Sequence, residues 1–175
     1  MRFSIRSVAC AAIVASFAFY GCTLQPADDP RRPVVEHYAN LVLAVYEDSL
    51  ATARQLDAAV DALLANPSEE TLNAAREKWL AARGPYSRSE AFRFYGGPID
   101  GEGGPEGQIN GWPPDENHID AVDVEHYGAA PGLNIIGNPE KFPTITPELI
   151  ADQNEAGGEK NIASGYNAIE FLLWG

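Results

Sequence analysis

The sequence is poor in basic residues. Twelve Lys and Arg stand against 25 Asp and Glu, which gives a net charge of −13. Such a chain repels phosphate backbones, so the composition argues against nucleic acid as a partner. An acidic surface attracts cations, but most carboxylates on a chain like this are solvated. The charge therefore raises the expectation of metal binding only slightly.

Cysteine is scarce as well, and several catalytic motifs are missing. Cys10 and Cys22 are the only cysteines, which excludes a framework of several disulfides. The sequence has no phosphate-binding loop, no internal repeat, no His-Glu-x-x-His pair and no Ser-His-Asp or Cys-His arrangement that can be defended. A metallopeptidase needs metal ligands and a general base near the metal-bound water. The residues alone therefore give no support to that activity.

The first residues are predicted to be a secretion signal. Arg2 and Arg6 precede an apolar, uncharged run from Val8 to Tyr20 that is short for a membrane span. The run leads into Phe-Tyr-Gly-Cys, which resembles a bacterial lipoprotein box, where cleavage before the cysteine is followed by its lipidation. The alternative is an ordinary signal peptide that leaves Cys22 as a free thiol.

This interpretation divides the chain into three parts. We expect a signal peptide at residues 1–21, a tether at residues 22–33 and a domain at residues 34–175. With 45% hydrophobic residues, a domain of this length has enough apolar side chains for a core. A lipid on Cys22 would hold the protein on the periplasmic side of the bacterial envelope, at the outer membrane.

Two long helices are predicted at the start of the domain. Apolar positions recur at steps of three and four from Val34 to Asn66, as in an amphipathic helix. They are Tyr38, Leu41, Val45, Ser49, Ala53, Leu56, Val60 and Leu63. Pro67 and Ser68 supply a stop and a new cap, after which Leu72, Ala75, Trp79, Ala82 and Tyr86 form a second stripe. The short connection predicts antiparallel packing.

The second stripe becomes polar after Tyr86. Ser89, Glu90 and Arg93 continue the same spacing, beyond a kink expected at Gly84 and Pro85. Charged side chains are seldom buried unless they are paired. Two interpretations follow, a salt bridge at the end of a bundle and a polar site lined by Glu90 and Arg93.

From Tyr95 to about Pro147 the helical periodicity is lost, and Gly and Pro are dense. A loop this long inside a compact domain is usually functional or ordered by a ligand. Its titratable residues include Asp100, Glu106, Asp115, Glu116, His118, Asp120, Asp123 and His126. They lack the spacing of a calcium loop or a zinc site, so a metal site and a solvated acidic loop both remain open. A helical turn is predicted at about residues 116–122.

The last part is predicted to hold a short helix from Thr146 to about Asn154 and a final helix from about Asn161 to Trp174. On the final helix Asn167 and Glu170 are three residues apart and share a face. A Glu with a second ligand at this spacing is one way in which helix bundles hold metals. An amide oxygen is a weak ligand for iron or zinc, so a simple polar contact is the other interpretation. Gly165 would let another backbone come close.

Several segments resemble one known family. The stretch "GYNAIEFLLWG", residues 165–175, is similar to the Gly-x-His-x-x-Glu signature of the imelysin-like family, with Asn167 at the His position. The segments "SEAFRF", "GGPID", "INGWPPDENHID" and "GGEKNI" resemble the same family, specifically its iron-regulated protein A type. The resemblance covers nearly the whole mature chain. It implies an all-α fold, an up-and-down helical bundle with a long Gly/Pro-rich loop.

The resemblance also implies a function and a set of residues. It implies an envelope protein linked to iron acquisition that binds iron, another divalent metal or a metal-bearing ligand, with an iron-transport partner. A metallopeptidase like the insulin-cleaving relatives is the alternative. The metal-site residues it suggests are Glu90, Asp120, Asn167 and Glu170. The ligand-binding residues it suggests are Arg93, Asp115, Glu116 and Tyr166.

Family members continue beyond this signature, so residues 34–175 are expected to be the N-terminal part of an imelysin-like domain, truncated before its second half. We then expect Phe171, Leu172, Leu173 and Trp174 to pack against helices that follow. A third function is consistent with this expectation, an inactive truncated family member that self-associates through its apolar end.

Overall fold

A computed structural model describes residues 29–122 and 134–175. The predicted signal peptide, Cys22 with its predicted lipid, and the loop residues Asp123 and His126 lie outside the described residues. Within the described part all regular structure is helical, without a strand, which confirms the all-α fold. No helix in that part is long and apolar enough to span a bilayer.

Two long helices form the frame of the fold. α1 spans Arg32–Ala65 and α2 spans Glu69–Arg88. The connection between them is three residues long, and at the far end of α2 the Arg88 guanidinium lies 3.7 Å from the Asp48 carboxylate of α1. The predicted antiparallel pair is confirmed.

The start of α2 is capped as the sequence predicts. Ser68 Oγ accepts a hydrogen bond from the Thr71 backbone N–H at 3.2 Å, and Thr71 Oγ1 accepts one from the Ser68 backbone N–H at 3.1 Å. Glu69 and Glu70 lie in the first turn, where the helix dipole favours negative charge. This local hydrogen bonding fixes the point at which the chain reverses direction.

At its other end α2 continues through Pro85 and then tightens into a 3₁₀ turn, Ser89–Phe92. Ser89 is fully buried, and its hydroxyl donates to the Tyr86 carbonyl oxygen at 2.6 Å. The polar continuation of the stripe therefore lies in this turn rather than on a straight helix.

Three short helices follow within residues 93–122 and 134–164. They are α3, Glu106–Asn110, α4, Glu116–Ile119, and α5, Pro147–Gln153. α4 confirms the predicted helical turn, and α5 begins at the predicted cap, Thr146, whose Oγ1 accepts the Leu149 N–H at 3.2 Å. Backbone hydrogen bonds join residues 134–136 to residues 117–119. This part of the predicted loop is thus ordered by its own main chain.

The last helix, α6, spans Gly165–Trp174. The predicted start near residue 161 is wrong, because Ile162 and Ala163 are buried but not helical. Gly165 has a φ of +82°, and a Cβ at this position would collide with the Ile109 carbonyl group. The close approach of α3 confirms the predicted role of Gly165 and explains why the helix begins there.

The main core lies where α6 meets the α1–α2 pair. Its buried members are Leu56, Ala75, Trp79, Ala82, Tyr86, Tyr166 and Leu173. The Trp79 indole packs edge-on against the rings of Tyr166 and Trp174, at centroid distances of 6.4 and 5.4 Å. Its Nε1–H donates to the Tyr166 carbonyl oxygen at 2.9 Å. Trp79 therefore anchors α6 to α2 by both packing and a buried hydrogen bond.

Candidate functional site

An apolar groove of about 720 Å³ lies between α1 and α6. Residues of α2, of α3 and of the segment before α3 complete its lining. The apolar and glycine lining residues are Leu50, Ala53, Leu56, Val60, Leu63, Leu64, Ile99, Ile109, Gly165, Ile169, Leu172 and Leu173. A concave site of this volume with mostly apolar walls is typical of small-molecule binding.

A few polar side chains also line the groove. They are Tyr46, Ser49, Asp57, Tyr86, Gln108 and Tyr166. Ser49 is only 7% exposed, on a helix face that is otherwise apolar. Burial raises the pKa of Tyr166, whereas the Arg83 charge and a hydrogen bond with Ser49 act to lower it. The phenol is therefore neutral at ordinary pH and able to donate a hydrogen bond.

Tyr86 connects the groove to an ion network around the buried Arg93. Its hydroxyl donates to Glu106 Oε2 on α3, and the Arg93 guanidinium pairs with Glu106 Oε1. Burial raises the pKa of Tyr86, and the hydrogen bond to Glu106 and its negative charge add to the rise. The same carboxylate accepts the Asn110 amide N–H at 3.2 Å. Glu106 thus joins α3 to the end of α2 through two groups, the Tyr86 hydroxyl and the Arg93 guanidinium.

Arg93 is the most buried charge of this network. Its side chain is 4% exposed, and its second partner is the exposed Glu90, at 3.0 Å. Burial alone lowers the pKa of Arg93, but Glu106, Tyr86 and Glu90 outweigh that effect and raise it. The guanidinium also lies 5.3 Å from the Tyr86 ring centroid. The predicted salt bridge of Glu90 and Arg93 is confirmed, and it continues to a residue of the groove.

Asn167 and Glu170 lie on α6 in different environments. Asn167 is buried, and its Nδ2–H donates to the Gly111 carbonyl oxygen at 2.7 Å. Glu170 is exposed. The amide therefore ties α6 to the residue that follows α3, which supports the interpretation of Asn167 as a polar contact.

The acidic residues around α4 form a separate group. Asp115 caps α4 by accepting the Asn117 N–H at 3.2 Å. Glu116 and Asp120 line a second cavity, of about 390 Å³, whose other residues include Phe171 and Leu172 at the end of α6. These carboxylates therefore lie beside the last turn of α6.

The structure thus distributes the predicted site residues over several places. Tyr166 lines the groove, and Asn167 is bonded to Gly111. Glu90 and Arg93 lie with Tyr86 at the end of α2, whereas Glu116 and Asp120 lie beside the end of α6. Among residues 29–122 and 134–175, no group of three or more His, Cys, Asp or Glu side chains is arranged to hold a metal ion. This arrangement does not assemble a metal site from Glu90, Asp120, Asn167 and Glu170. Such a site stays a prediction.

Sequence reasoning named Tyr166 through the resemblance but missed the other polar side chains of the groove. It placed Ser49 and Tyr86 in apolar stripes and counted Glu106 as one acid among many in the loop. The available signal was a serine in an inward helical stripe of Leu, Val and Ala, because a buried hydroxyl needs a partner. Nothing in the spacing indicates that Glu106 meets Arg93, since that contact depends on how the loop folds back.

A comparison with protein-family models matches residues 42–175, more than half of the chain, to the model described as Imelysin, which is filed among the peptidases. The matched region includes α2 to α6, most of α1 and every residue that lines the groove. No curated protein matches the chain.

Proposed function

The chain belongs to the imelysin family, and on this premise we propose that it is a binding protein of the bacterial envelope that serves iron acquisition. Its cargo is an organic ligand that carries a metal, held in the groove between α1 and α6. The observation that carries the proposal is the groove itself, about 720 Å³ with apolar walls and a few hydroxyl groups.

The groove has the properties of a small-molecule site. Sites for organic ligands commonly have volumes of about 300–1,000 Å³ and apolar linings, with a few polar groups that orient the ligand. Here the walls supply aliphatic side chains, and Tyr46, Ser49 and Tyr166 supply hydroxyl groups. A largely apolar ligand with oxygen or nitrogen atoms at its edge satisfies both sets of residues.

Two features favour a metal-bearing ligand over a bare ion. Tyr46 is half-buried at the groove, and a tyrosine oxygen is one of the axial ligands that proteins offer to haem iron. Glu90, one of the predicted ion ligands, is already paired with Arg93. A ligand that brings most of its own donor atoms needs only one or two from the protein.

The envelope location belongs to the same proposal. Its support is the charged start, the apolar run and the cysteine box of residues 1–22. A lipid on Cys22 keeps the groove near a membrane, where a transport partner for iron can receive the cargo.

The test is an absorbance titration of the purified protein with ferric protoporphyrin, an apolar macrocycle that carries iron. We expect one equivalent to bind with a shifted absorption band, and metal-free protoporphyrin to bind more weakly. Ferric citrate, which supplies iron without the macrocycle, should leave no stoichiometric iron on the protein. Failure of both macrocycles to bind overturns the proposal, equal affinity for the two overturns the role of the metal, and stoichiometric iron from citrate indicates a bare-ion site instead.

A further inference from the structure

A second apolar surface lies at the beginning of α1, outside the groove. Its members, here called the N-terminal patch, are Val34, Val35, Tyr38, Leu41, Phe94 and Tyr95. Phe94 is 84% exposed, and the other five are between 45% and 70% exposed. Single exposed apolar residues are ordinary, but a contiguous set of this kind marks an interaction surface.

Two contacts of Tyr38 join α1 to the segment that carries Phe94 and Tyr95. The Tyr38 ring packs edge-on against Phe92, with ring centroids 5.6 Å apart. A hydrogen bond with Tyr38 raises the pKa of Tyr95, which places the two phenols side by side. The loop that carries Phe94 and Tyr95 is therefore fixed to the first turns of α1.

The backbone at Phe94 is held in a rare conformation. Its φ is +72°, a region that bulky side chains seldom adopt. The Asp100 carboxylate accepts the N–H groups of both Phe94 and Gly97, the latter at 3.1 Å. One carboxylate thus keeps a large aromatic ring turned towards solvent, which packing inside the protein does not require.

The charge distribution separates this end of the molecule from the rest. In residues 29–41 two carboxylates are balanced by Arg31 and Arg32. Both form ion pairs there, Arg31 with Asp29 and Arg32 with Glu36. Residues 42–70 carry six carboxylates and one arginine, a net charge of −5. The patch is thus the part of α1 that an anionic surface repels least.

The patch also lies at the end of the domain that follows Cys22. Arg32, where α1 begins, is ten positions after Cys22. An extended chain of that length spans at most about 35 Å. A bilayer that holds a lipid on Cys22 is therefore within reach of the patch, and tethering keeps their effective concentration high.

We propose that the N-terminal patch docks on the lipid bilayer, with Phe94, Tyr95 and Tyr38 at the level of the headgroups. Aromatic side chains favour that interfacial zone, and the balanced charges of residues 29–41 do not oppose its anionic phosphate groups. A lipid chain and an apolar surface then act as two anchoring signals. Attachment through a lipid on Cys22 rests on the proposed function, whereas docking of the N-terminal patch on a bilayer does not.

The test places a tryptophan in the patch and asks whether the bilayer quenches it. The full chain carries Cys10→Ser, so that Cys22 is the only thiol, and is coupled through it to a maleimide lipid. The vesicles contain phosphatidylethanolamine and phosphatidylglycerol with brominated acyl chains. Phe94→Trp is compared with Leu64→Trp, after the native tryptophan signal has been subtracted. Leu64 is 73% exposed and lies on α1, about 39 Å along the helix axis from Tyr38 of the patch.

We expect at least half of the added Phe94→Trp fluorescence to be quenched, and less than a tenth of the Leu64→Trp signal. Equal quenching of the two variants overturns the proposal. If vesicles do not quench the Phe94→Trp fluorescence and the protein forms dimers in analytical ultracentrifugation, the proposal is overturned. The patch then binds a second copy of the chain. Because the coupling is chemical, these results do not depend on lipidation in the cell. That anchor is tested separately, since Cys22→Ser should release the protein from the membrane fraction.

Discussion

Replacing Glu106 with alanine is expected to lower the free energy of unfolding by about 3 kcal/mol. The change leaves the Arg93 guanidinium, with a side chain only 4% exposed, without its closest partner. The Tyr86 hydroxyl loses its acceptor at the same time. Glu90 remains beside Arg93, but it is exposed and solvent screens its charge. A buried cation whose remaining counter-charge is exposed and screened is costly, and this cost dominates the effect.

Urea denaturation followed by circular dichroism measures this loss. Glu102→Ala is the matched control, because Glu102 lies in the same loop and is exposed. The control should differ from the wild type by no more than about 0.5 kcal/mol. If Glu106→Ala and Glu102→Ala have the same free energy of unfolding, the Arg93 network does not hold α3 against the end of α2.

Trp79→Ala is expected to destabilise the protein by about 3–5 kcal/mol. Trp79 is 6% exposed, and its ring packs against Tyr166 and Trp174. Removing the indole opens a cavity at the junction of α2 and α6. It also removes the indole N–H that donates to the Tyr166 carbonyl oxygen.

Trp112→Ala provides the comparison for this variant. Trp112 is 71% exposed, so removing the same side chain there should change the free energy of unfolding by about 0.5 kcal/mol or less. Chemical denaturation of both variants gives the two values under identical conditions. A small effect at Trp79 would mean that α6 is not held by this contact.

The elements that local signals specify were predicted correctly. The helix α1, the Ser68 cap and the Thr146 cap all depend on residues within a few positions of one another. The apolar stripe of α1 is only partly buried, because Tyr38 and Leu41 at its start are exposed. The start of α6 was placed too early, because Ile162 and Ala163 continue an apolar pattern. It depends instead on the Ile109 backbone passing Gly165, a contact that no local pattern encodes.

The candidate site was predicted in part. The stripe of α2 predicted either a salt bridge or a polar site at Glu90 and Arg93, because charges that continue an inward stripe need partners. The salt bridge forms, with Arg93 buried and Glu90 exposed. Glu106 was not singled out, since it reaches Arg93 across a loop of irregular backbone. The groove was missed because it is made by α1 and α6 together, and each helix alone shows only an apolar face.

The position of Asn167 shows what a signature can and cannot indicate. The resemblance led to this residue as part of a metal site, whereas its amide is bonded to the Gly111 backbone. The spacing of Asn167 and Glu170 is that of neighbours on one helix face. Whether such neighbours meet a ligand depends on α3 and α4, which the spacing does not describe.

The central claim is that the groove between α1 and α6 holds the cargo, and a pair of variants on α1 tests it most directly. Ala53 lines the groove, whereas Ala51 is exposed and lies about 200° further round the helix. Ala53→Trp fills the groove with an indole, and Ala51→Trp adds the same side chain to the outer surface. Both variants are titrated with ferric protoporphyrin after their thermal unfolding has been compared.

We expect Ala53→Trp to bind the porphyrin at least roughly tenfold more weakly than the wild type, about 1.4 kcal/mol. Ala51→Trp should bind as the wild type does. If both variants bind with wild-type affinity, the cargo does not occupy this groove and the proposed site is wrong.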